Sequence, residues 1–330
     1  MPPTTLPPLA GKTVDFTLFA LTRALDVVAV TLWTRTRSHR WHPEHRTPRL
    51  AHLARYLADP AIFAFSASVI MWSWFYLPTR LPRAYNHWIS RAAAIDSRLI
   101  SALRLARQGD FIYGQDTGQA PLLEPLCESL HMPLEWADPA KTIPIPCEVV
   151  HMGVGPSCEL HALRRFLRSW LFAMEMYLPL QFLFRLRYPS LPSFLAGFKG
   201  AAQSSAFLGA FVSFFYYGVC LARTRLGPRL FSSKQVTRQM WDSGLCVFAG
   251  CMACGWSILL EKRSRRQEIA FFVVPRALAT LLPRVYEKRY RIREQAVFAT
   301  SVAIVMATVA ERPQRVRGAL GQVLGRVVST

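Results

Sequence analysis

Long apolar runs alternate with short basic segments along most of this chain of 330 residues. The clearest example is 244–275, where an uncharged run, 244–260, is followed by six charged residues within eight positions. Burying such a cluster in lipid is costly, so we expect it at the boundary between membrane and water. The alternation predicts membrane helices separated by basic loops. The alternative is a buried helix of a soluble protein followed by a solvated turn.

Apolar runs of nearly spanning length occur in both halves of the chain. The first clear candidate is 61–76, which carries no charge and ends in an aromatic cluster typical of membrane interfaces. The run 14–33 carries three charges, so we expect an interfacial or bundle-packed helix there, with a spanning helix as the alternative. Further runs lie at 164–184, 195–222, 244–260, 269–282 and 295–310. Together they predict an all-α fold, a multi-pass helical membrane protein with about four to six membrane-embedded helices.

Changes in composition divide the chain into four predicted parts. Asp59 and Pro60 suit the N-cap and first turn of the first membrane helix, and therefore mark one boundary. A stretch rich in Pro, Gly and acidic residues marks another. The parts are 1–58 (tail, amphipathic helix and basic connector), 59–108 (first membrane helix and basic amphipathic helix), 109–146 (polar loop) and 147–330 (multi-helix membrane domain).

Two apolar segments align without gaps when the chain is displaced by 235 residues. The displacement places 63–64 on 298–299, both Phe-Ala, and aligns the Pro-x-Arg sequences at 78–80 and 313–315. Chance similarity is the alternative, but the shared Pro-x-Arg sequences after the two apolar segments favour a duplication, which is common in membrane transport folds. The sequence therefore predicts an internal repeat.

Small residues recur every four positions in two of the apolar runs. At this spacing they share one helix face and let helices approach closely, which drives helix association in a bilayer. The stripes predict close packing within the chain or in a helix–helix oligomer, with ordinary use of small residues as the alternative. One stripe is Gly197, Ala201, Ser205, Gly209 and Ser213, and the other is Cys246, Gly250 and Cys254.

Composition narrows the class of function. Lys and Arg outnumber Asp and Glu by 40 to 20, which gives a net charge of +20, while 52% of the residues are hydrophobic. Such a charge fits a nucleic-acid binder or a membrane protein with basic loops. The basic residues lie between apolar runs, and no nucleic-acid-binding motif appears. We therefore expect a lipid bilayer, and no nucleic acid, as the partner.

Cysteine and histidine cluster at 147–161. The chain has seven cysteines, an odd number that does not indicate the disulfide framework of a secreted protein. Cys147-x3-His151 and Cys158-x2-His161 flank a Gly/Pro turn and offer four ligands of types that zinc accepts. The alternatives are a loop with reduced cysteines and a disulfide between Cys147 and Cys158. The spacing matches no standard zinc finger, so our default expectation is no cofactor.

Two charged residues lie inside the apolar runs. Glu175 is in 164–184, and Lys199 is near the start of 195–222. Ionisable residues within membrane segments are candidates for function. They could pair between adjacent helices, or each side chain could extend to an interface.

Four stretches resemble the transmembrane protein 135 family. The likeness covers 147–330 and is most specific at 259–266, although Lys262 and Arg263 reverse the family's Arg-Lys order and the spacing from Cys147 to His151 differs by one. The stretches are 147–158, where Cys147-Glu148, His151 and Pro156-Ser157-Cys158 carry the likeness, YLPL at 177–180, AFLGAFVSFFYYGVCLAR at 206–223 and LLEKRSRRQEIA at 259–270.

The resemblance implies a multi-pass protein of peroxisomal or mitochondrial membranes, linked to lipid metabolism and mitochondrial dynamics. The family is similar to peroxisomal membrane protein 24 and, more distantly, to the inner-membrane translocase channel superfamily. No catalytic residue comes with it. We therefore expect a non-enzymatic organelle-membrane protein that supports lipid or metabolite handling or membrane dynamics.

Lipid headgroups are the partner expected for the charge cluster. Lys262, Arg263, Arg265 and Arg266 would bind anionic headgroups at the membrane surface. The alternative function is a membrane-bound enzyme with a Cys/His metal site at 147–161.

Overall fold

A computed structural model describes residues 13–39, 48–186, 189–232, 234–282 and 290–318, together with 320–321 and 323–324. Regular structure in this part of the chain is helical and includes no strand, which confirms the predicted all-α fold. The α-helices are α1 (Val14–His39), α2 (Pro48–Tyr76), α3 (Arg83–Ala93), α4 (Ser97–Gln108), α5 (Ala120–Ser129), α6 (Cys147–Val150), α7 (Cys158–Leu183), α8 (Leu191–Cys220), α9 (Gly227–Leu230), α10 (Arg238–Met240), α11 (Cys246–Cys254), α12 (Arg263–Leu281) and α13 (Arg291–Glu311).

Five helical stretches are long and apolar enough to cross a membrane, judged by length and composition. This agrees with the prediction of a multi-pass helical membrane protein. α7 and α12, which contain the predicted runs 164–184 and 269–282, are not among the five. The candidate spans are Val14–Arg35, Tyr56–Tyr76, Leu191–Leu230, Arg238–Leu260 and Arg291–Glu311.

The chain forms two compact units. The first combines the described residues of Met1–Ser66 with those of Lys262–Thr330, and the second is Ala67–Glu261. The first unit therefore joins segments from the two ends of the sequence. The four-part division that composition predicts stays a prediction.

In the first unit, α1 packs against α12 and α13. Ala24 and Val27 of α1 share a buried apolar cluster with Val305 and Val309 of α13. These small and β-branched side chains permit close contact between the two helices. The predicted helix at 14–33 is thus packed in a helical bundle, and it is also long and apolar enough to span.

The sequence predicted that the first membrane helix begins at Asp59, but the structure contradicts this prediction. The helix begins at Pro48 and runs through Pro60, whose ring is fully buried. A helix can continue through proline at the cost of one backbone hydrogen bond. The Asp59 carboxylate instead accepts a hydrogen bond from the Arg317 guanidinium at 3.3 Å, and Asp26 accepts from the same group at 3.1 Å.

The two segments of the predicted repeat have the same local structure. The candidate spans Tyr56–Tyr76 and Arg291–Glu311 each contain 21 residues, and both ends are displaced by 235. A 3-10 turn follows each one, at Pro78–Arg80 and Pro313–Arg315, with the same displacement. α2 itself begins earlier, at Pro48, so the agreement with an internal repeat lies at the C-terminal ends of the two helices and in the turns that follow.

In the second unit, α8 packs along α7 through its small residues. A Cβ on Gly209 would lie 3.0 Å from the Phe166 carbonyl oxygen of α7, which is closer than side chains normally allow. The Ser213 hydroxyl donates a hydrogen bond to the Ala162 carbonyl oxygen at 2.9 Å. The other members of this stripe, Gly197, Ala201 and Ser205, are buried as well.

α8 also meets α11, and here backbone touches backbone. A Cβ on Gly250 would lie 2.7 Å from the Phe215 carbonyl oxygen, and one on Gly218 would lie 3.0 Å from the Gly250 Cα. Small residues such as glycine let the backbones of two helices approach this closely. The other members of the second stripe, Cys246 and Cys254, are buried.

The segment predicted to be a polar loop, 109–146, contributes to a small helical core. α4 and α5 pack in a buried cluster that includes Phe111, Leu123 and Ile145. The apolar residues of this core are spread over short helices between Pro and Gly turns. They form no long run, so the pattern resembles a loop.

We expect Gly250→Val to lower the free energy of unfolding of the second unit by about 1–3 kcal/mol, because the new side chain overpacks the contact with α8. Thermal unfolding of the purified protein in detergent measures the loss. The matched control is Ala196→Val at an exposed position of α8, which should leave the transition unchanged. Equal transitions for the two variants would contradict this packing.

Candidate metal centre

A tight turn connects α6 to α7. α6 begins at Cys147 and ends at Val150 with His151 as its C-cap, and α7 begins at Cys158 after its N-cap Ser157. Gly155 in the turn has a φ of 98°, a backbone conformation that favours glycine. The Gly/Pro sequence between the two Cys-His pairs therefore folds the chain back on itself.

Three of the predicted ligands converge at this turn. The Sγ atoms of Cys147 and Cys158 and a ring nitrogen of His151 lie within 4.8 Å of one another. Both cysteines are free, so the structure does not contain the disulfide that was the alternative interpretation. The Nδ1 of His151 donates a hydrogen bond to the Gly155 carbonyl oxygen at 2.7 Å, which leaves Nε2 as the acceptor nitrogen.

A further thiol comes from the end of α8. The Sγ of Cys220 lies 3.3 Å from the Nε2 of His151, and the thiol of Cys158 interacts with those of both Cys147 and Cys220. Three thiols and one imidazole nitrogen thus form one cluster. The sequence interpretation missed Cys220 because it ends an apolar helix, where cysteine is typical of ordinary packing.

His161, the fourth ligand predicted from the sequence, lies outside this group of atoms. Its ring is completely buried and stacks on His151, with centroids 4.4 Å apart and planes at 15°. Its position one helical turn beyond Cys158 places it against the face of the His151 ring. Neither of its ring nitrogens has a hydrogen-bond partner among the residues that the structure describes.

Comparison with known proteins does not assign the cluster. The chain matches no family model, no curated protein and no solved structure. The transmembrane protein 135 resemblance stays a prediction. The chemistry of the cluster therefore follows from its own side chains.

Burial sets the protonation of the cluster and of the neighbouring His161. It lowers the pKa of His151, and it lowers the pKa of His161 to about 3, with the charge of Arg165 adding to both shifts. Both imidazoles are therefore neutral near pH 7, the form that binds metal ions. Burial also raises the pKa of the Cys147 thiol, so an incoming metal ion must displace its proton.

A buried arginine, Arg165, lies beside the cluster. Arg165 is 6% exposed, and no carboxylate lies within ion-pair distance of it in the described part of the chain. Its guanidinium donates to the Ala94 carbonyl oxygen at 2.9 Å and to the Met152 sulfur at 3.3 Å, and it lies 4.6 Å from the Tyr216 ring centroid. Such a cation favours negative charge nearby.

A buried ion pair fixes the segment that precedes Cys147. The Arg223 Nε lies 2.6 Å from an Asp242 carboxylate oxygen, and both residues are almost completely buried. Arg223 also donates to the Ile145 carbonyl oxygen at 2.6 Å. The Tyr113 hydroxyl donates to Asp242 and accepts from the Ile145 amide. These bonds hold the backbone two residues before the first cysteine.

One of the four residues predicted to form the basic surface, Arg266, lies in the interior of the protein. Lys262 and Arg263 are exposed, and Arg265 is half-buried. Arg266 is buried, and its guanidinium lies 5.1 Å from the Tyr56 ring centroid. It packs within the first unit because its position on α12 faces the protein, so it is not part of a headgroup-facing surface.

The remaining charged candidates lie apart from the metal cluster. Glu175 and Lys199 are exposed on α7 and α8, and the described structure contains no ion pair between them. Glu261, the first residue of the charge cluster, is buried rather than at a water boundary. It accepts a hydrogen bond from Ser204 at 2.8 Å.

We expect Asp242→Asn to destabilise the protein by about 3–5 kcal/mol, because it leaves the buried Arg223 charge without its partner. Thermal unfolding in detergent, followed by tryptophan fluorescence, measures the change. The control is Asp110→Asn, an exposed position where no loss is expected. The double variant Arg223→Met with Asp242→Leu should be less destabilised than the single one. A larger loss in the double variant would contradict this account.

Proposed function

We propose that this protein is a non-enzymatic integral membrane protein of peroxisomes or mitochondria that supports lipid or metabolite handling or membrane dynamics. The observation that carries the membrane part is the apolar surface of the five candidate spans. In water that surface would be unfavourable, whereas in lipid it is the normal exterior of a helix. Each span exposes a large apolar side chain: Phe16 (70% exposed), Phe65 (67%), Leu195 (61%), Phe248 (53%) and Ile292 (75%).

The organelle and the role in lipid metabolism are supported by resemblance. The sequence at 259–266, EKRSRR with the two preceding leucines, is similar to the signature of the transmembrane protein 135 family. Members of that family are proteins of peroxisomal or mitochondrial membranes. This likeness is the reason for choosing these two organelles.

The non-enzymatic part of the proposal is supported by the burial of the Cys/His cluster. His151, Cys158 and Cys220 are each less than 5% exposed. Catalytic zinc sites keep a coordination position open to water or substrate, whereas structural sites are closed. With these three side chains buried and Cys147 half-buried, the cluster resembles the structural kind.

Membrane insertion and compartment are tested together. Tags are placed at both termini and between Gln115 and Asp116, an exposed turn of the second unit. We expect the protein to resist alkaline carbonate extraction, to fractionate with peroxisomal or mitochondrial markers, and to show a fixed pattern of protease protection in sealed organelles. Release by carbonate, or residence in another membrane, would contradict the proposal.

Anionic lipid is the partner that we propose for the exposed start of α12. Replacing Lys262, Arg263 and Arg265 by glutamine should weaken binding of fluorescent phosphatidylserine to the purified protein. Each charge near a membrane surface contributes about 1 kcal/mol, so the triple variant should lose about 100-fold in affinity.

The control for this variant removes the same charge elsewhere. Arg229, Lys234 and Arg238 are exposed basic residues of the second unit. Their replacement by glutamine should change phosphatidylserine binding far less. Equal losses in the two triple variants would show that only net charge matters, and would contradict a specific headgroup surface.

A further inference from the structure

We propose that Cys147, His151, Cys158 and Cys220 bind one Zn²⁺ ion in a closed tetrahedral site. The site would tie the end of α8 to the turn between α6 and α7. It goes beyond the proposed function, and it rests on the local geometry of the second unit alone. It also replaces the ligand set that the sequence indicates, because Cys220 takes the place of His161.

The distances fit one small ion. In a tetrahedral site with Zn–N near 2.0 Å and Zn–S near 2.3 Å, a nitrogen and a sulfur lie about 3.5 Å apart and two sulfurs about 3.8 Å apart. The Cys220 Sγ is 3.3 Å from the His151 Nε2. The ligand atoms of Cys147, His151 and Cys158 lie within 4.8 Å of one another. Cys158 contacts both Cys147 and Cys220, and Cys220 contacts His151, so one ion between them would draw the four ligand atoms into a tetrahedron.

The imidazole is already oriented as a ligand. Metal-binding histidines almost always donate their second ring N–H to a carbonyl or carboxylate, which fixes the tautomer. The Nδ1 of His151 does this with the Gly155 carbonyl oxygen. The lone pair of Nε2 is then available, and it faces the Cys220 thiol. The positive φ of Gly155 permits the turn that supplies this carbonyl.

The charge of the surroundings also fits a zinc–thiolate centre. One Zn²⁺ with three thiolates and a neutral imidazole carries a net charge of about −1. Arg165 is buried beside His151 and has no carboxylate partner in the described structure, whereas the charge of Arg223 is compensated by Asp242. Arg165 thus supplies the positive charge that the loaded centre requires.

Mixed thiolate and imidazole ligands in a tetrahedron favour zinc over harder cations. Magnesium and calcium prefer oxygen ligands, and the cluster offers none from a carboxylate. The centre holds together segments that are far apart in sequence. Its role is therefore to stabilise the second unit.

The first test is the metal content of the full-length protein, purified from membranes in detergent and analysed by mass spectrometry for zinc, iron and copper. We expect about one zinc per chain. Cys220→Ser and Cys158→Ser should each lose most of it. The matched control is Cys251→Ser, a buried thiol outside the cluster, which should keep its zinc. His161→Leu should keep it as well.

Cobalt substitution keeps the proposal testable if a variant fails to fold. Co²⁺ in the wild-type protein should give tetrahedral d–d bands and the thiolate-to-cobalt charge-transfer intensity of three thiolates. Where Cys220→Ser retains cobalt, that intensity should fall by about one third, since one of three thiolates is removed. His161→Leu should leave the spectrum unchanged.

Several results would overturn the proposal. Folded wild-type protein without stoichiometric zinc would exclude the site, and stoichiometric iron or copper instead would exclude the assigned metal. Unchanged zinc content and cobalt spectrum in Cys220→Ser would exclude the fourth ligand. Loss of zinc in His161→Leu, with Cys220→Ser unaffected, would restore the ligand set predicted from the sequence.

Discussion

Close approach of α8 to two other helices is the constraint on which the second unit depends. Gly209 brings its backbone against α7, and the Gly218–Gly250 contact does the same with α11. In a membrane, where water does not drive helices together, such contacts provide much of the packing energy. α8 ends at Cys220, and the π-helical turn that follows it, Leu221–Arg225, contains the buried Arg223.

The polar groups at this end of α8 form two adjoining networks. Arg223 pairs with Asp242 and holds the backbone at Ile145, two residues before Cys147. Cys220 meets the imidazole of His151 from the neighbouring turn. Each network connects segments that are distant in sequence and positions ligands without opening the site to water. This arrangement is what we expect of a structural metal centre.

The sequence predicts the helical class and most candidate spans, because spanning helices need long apolar runs that are visible locally. The predicted repeat also rests on a local pattern, since the turn Pro78–Arg80 and its counterpart Pro313–Arg315 share the Pro-x-Arg sequence. The rest depends on contacts between distant segments. Cys220 and Gly218 look like ordinary residues of an apolar helix until their partners are known. Likewise, the core at 109–146 is built from short helices that leave no long periodic pattern.

The central claim is that three thiolates and one imidazole hold a zinc ion at the end of α8. X-ray absorption at the zinc edge of the purified full-length protein tests it most directly. The account predicts three sulfur ligands at about 2.3 Å and one nitrogen at about 2.0 Å. Two sulfurs with two nitrogens, or a shell of oxygen and nitrogen only, would contradict it.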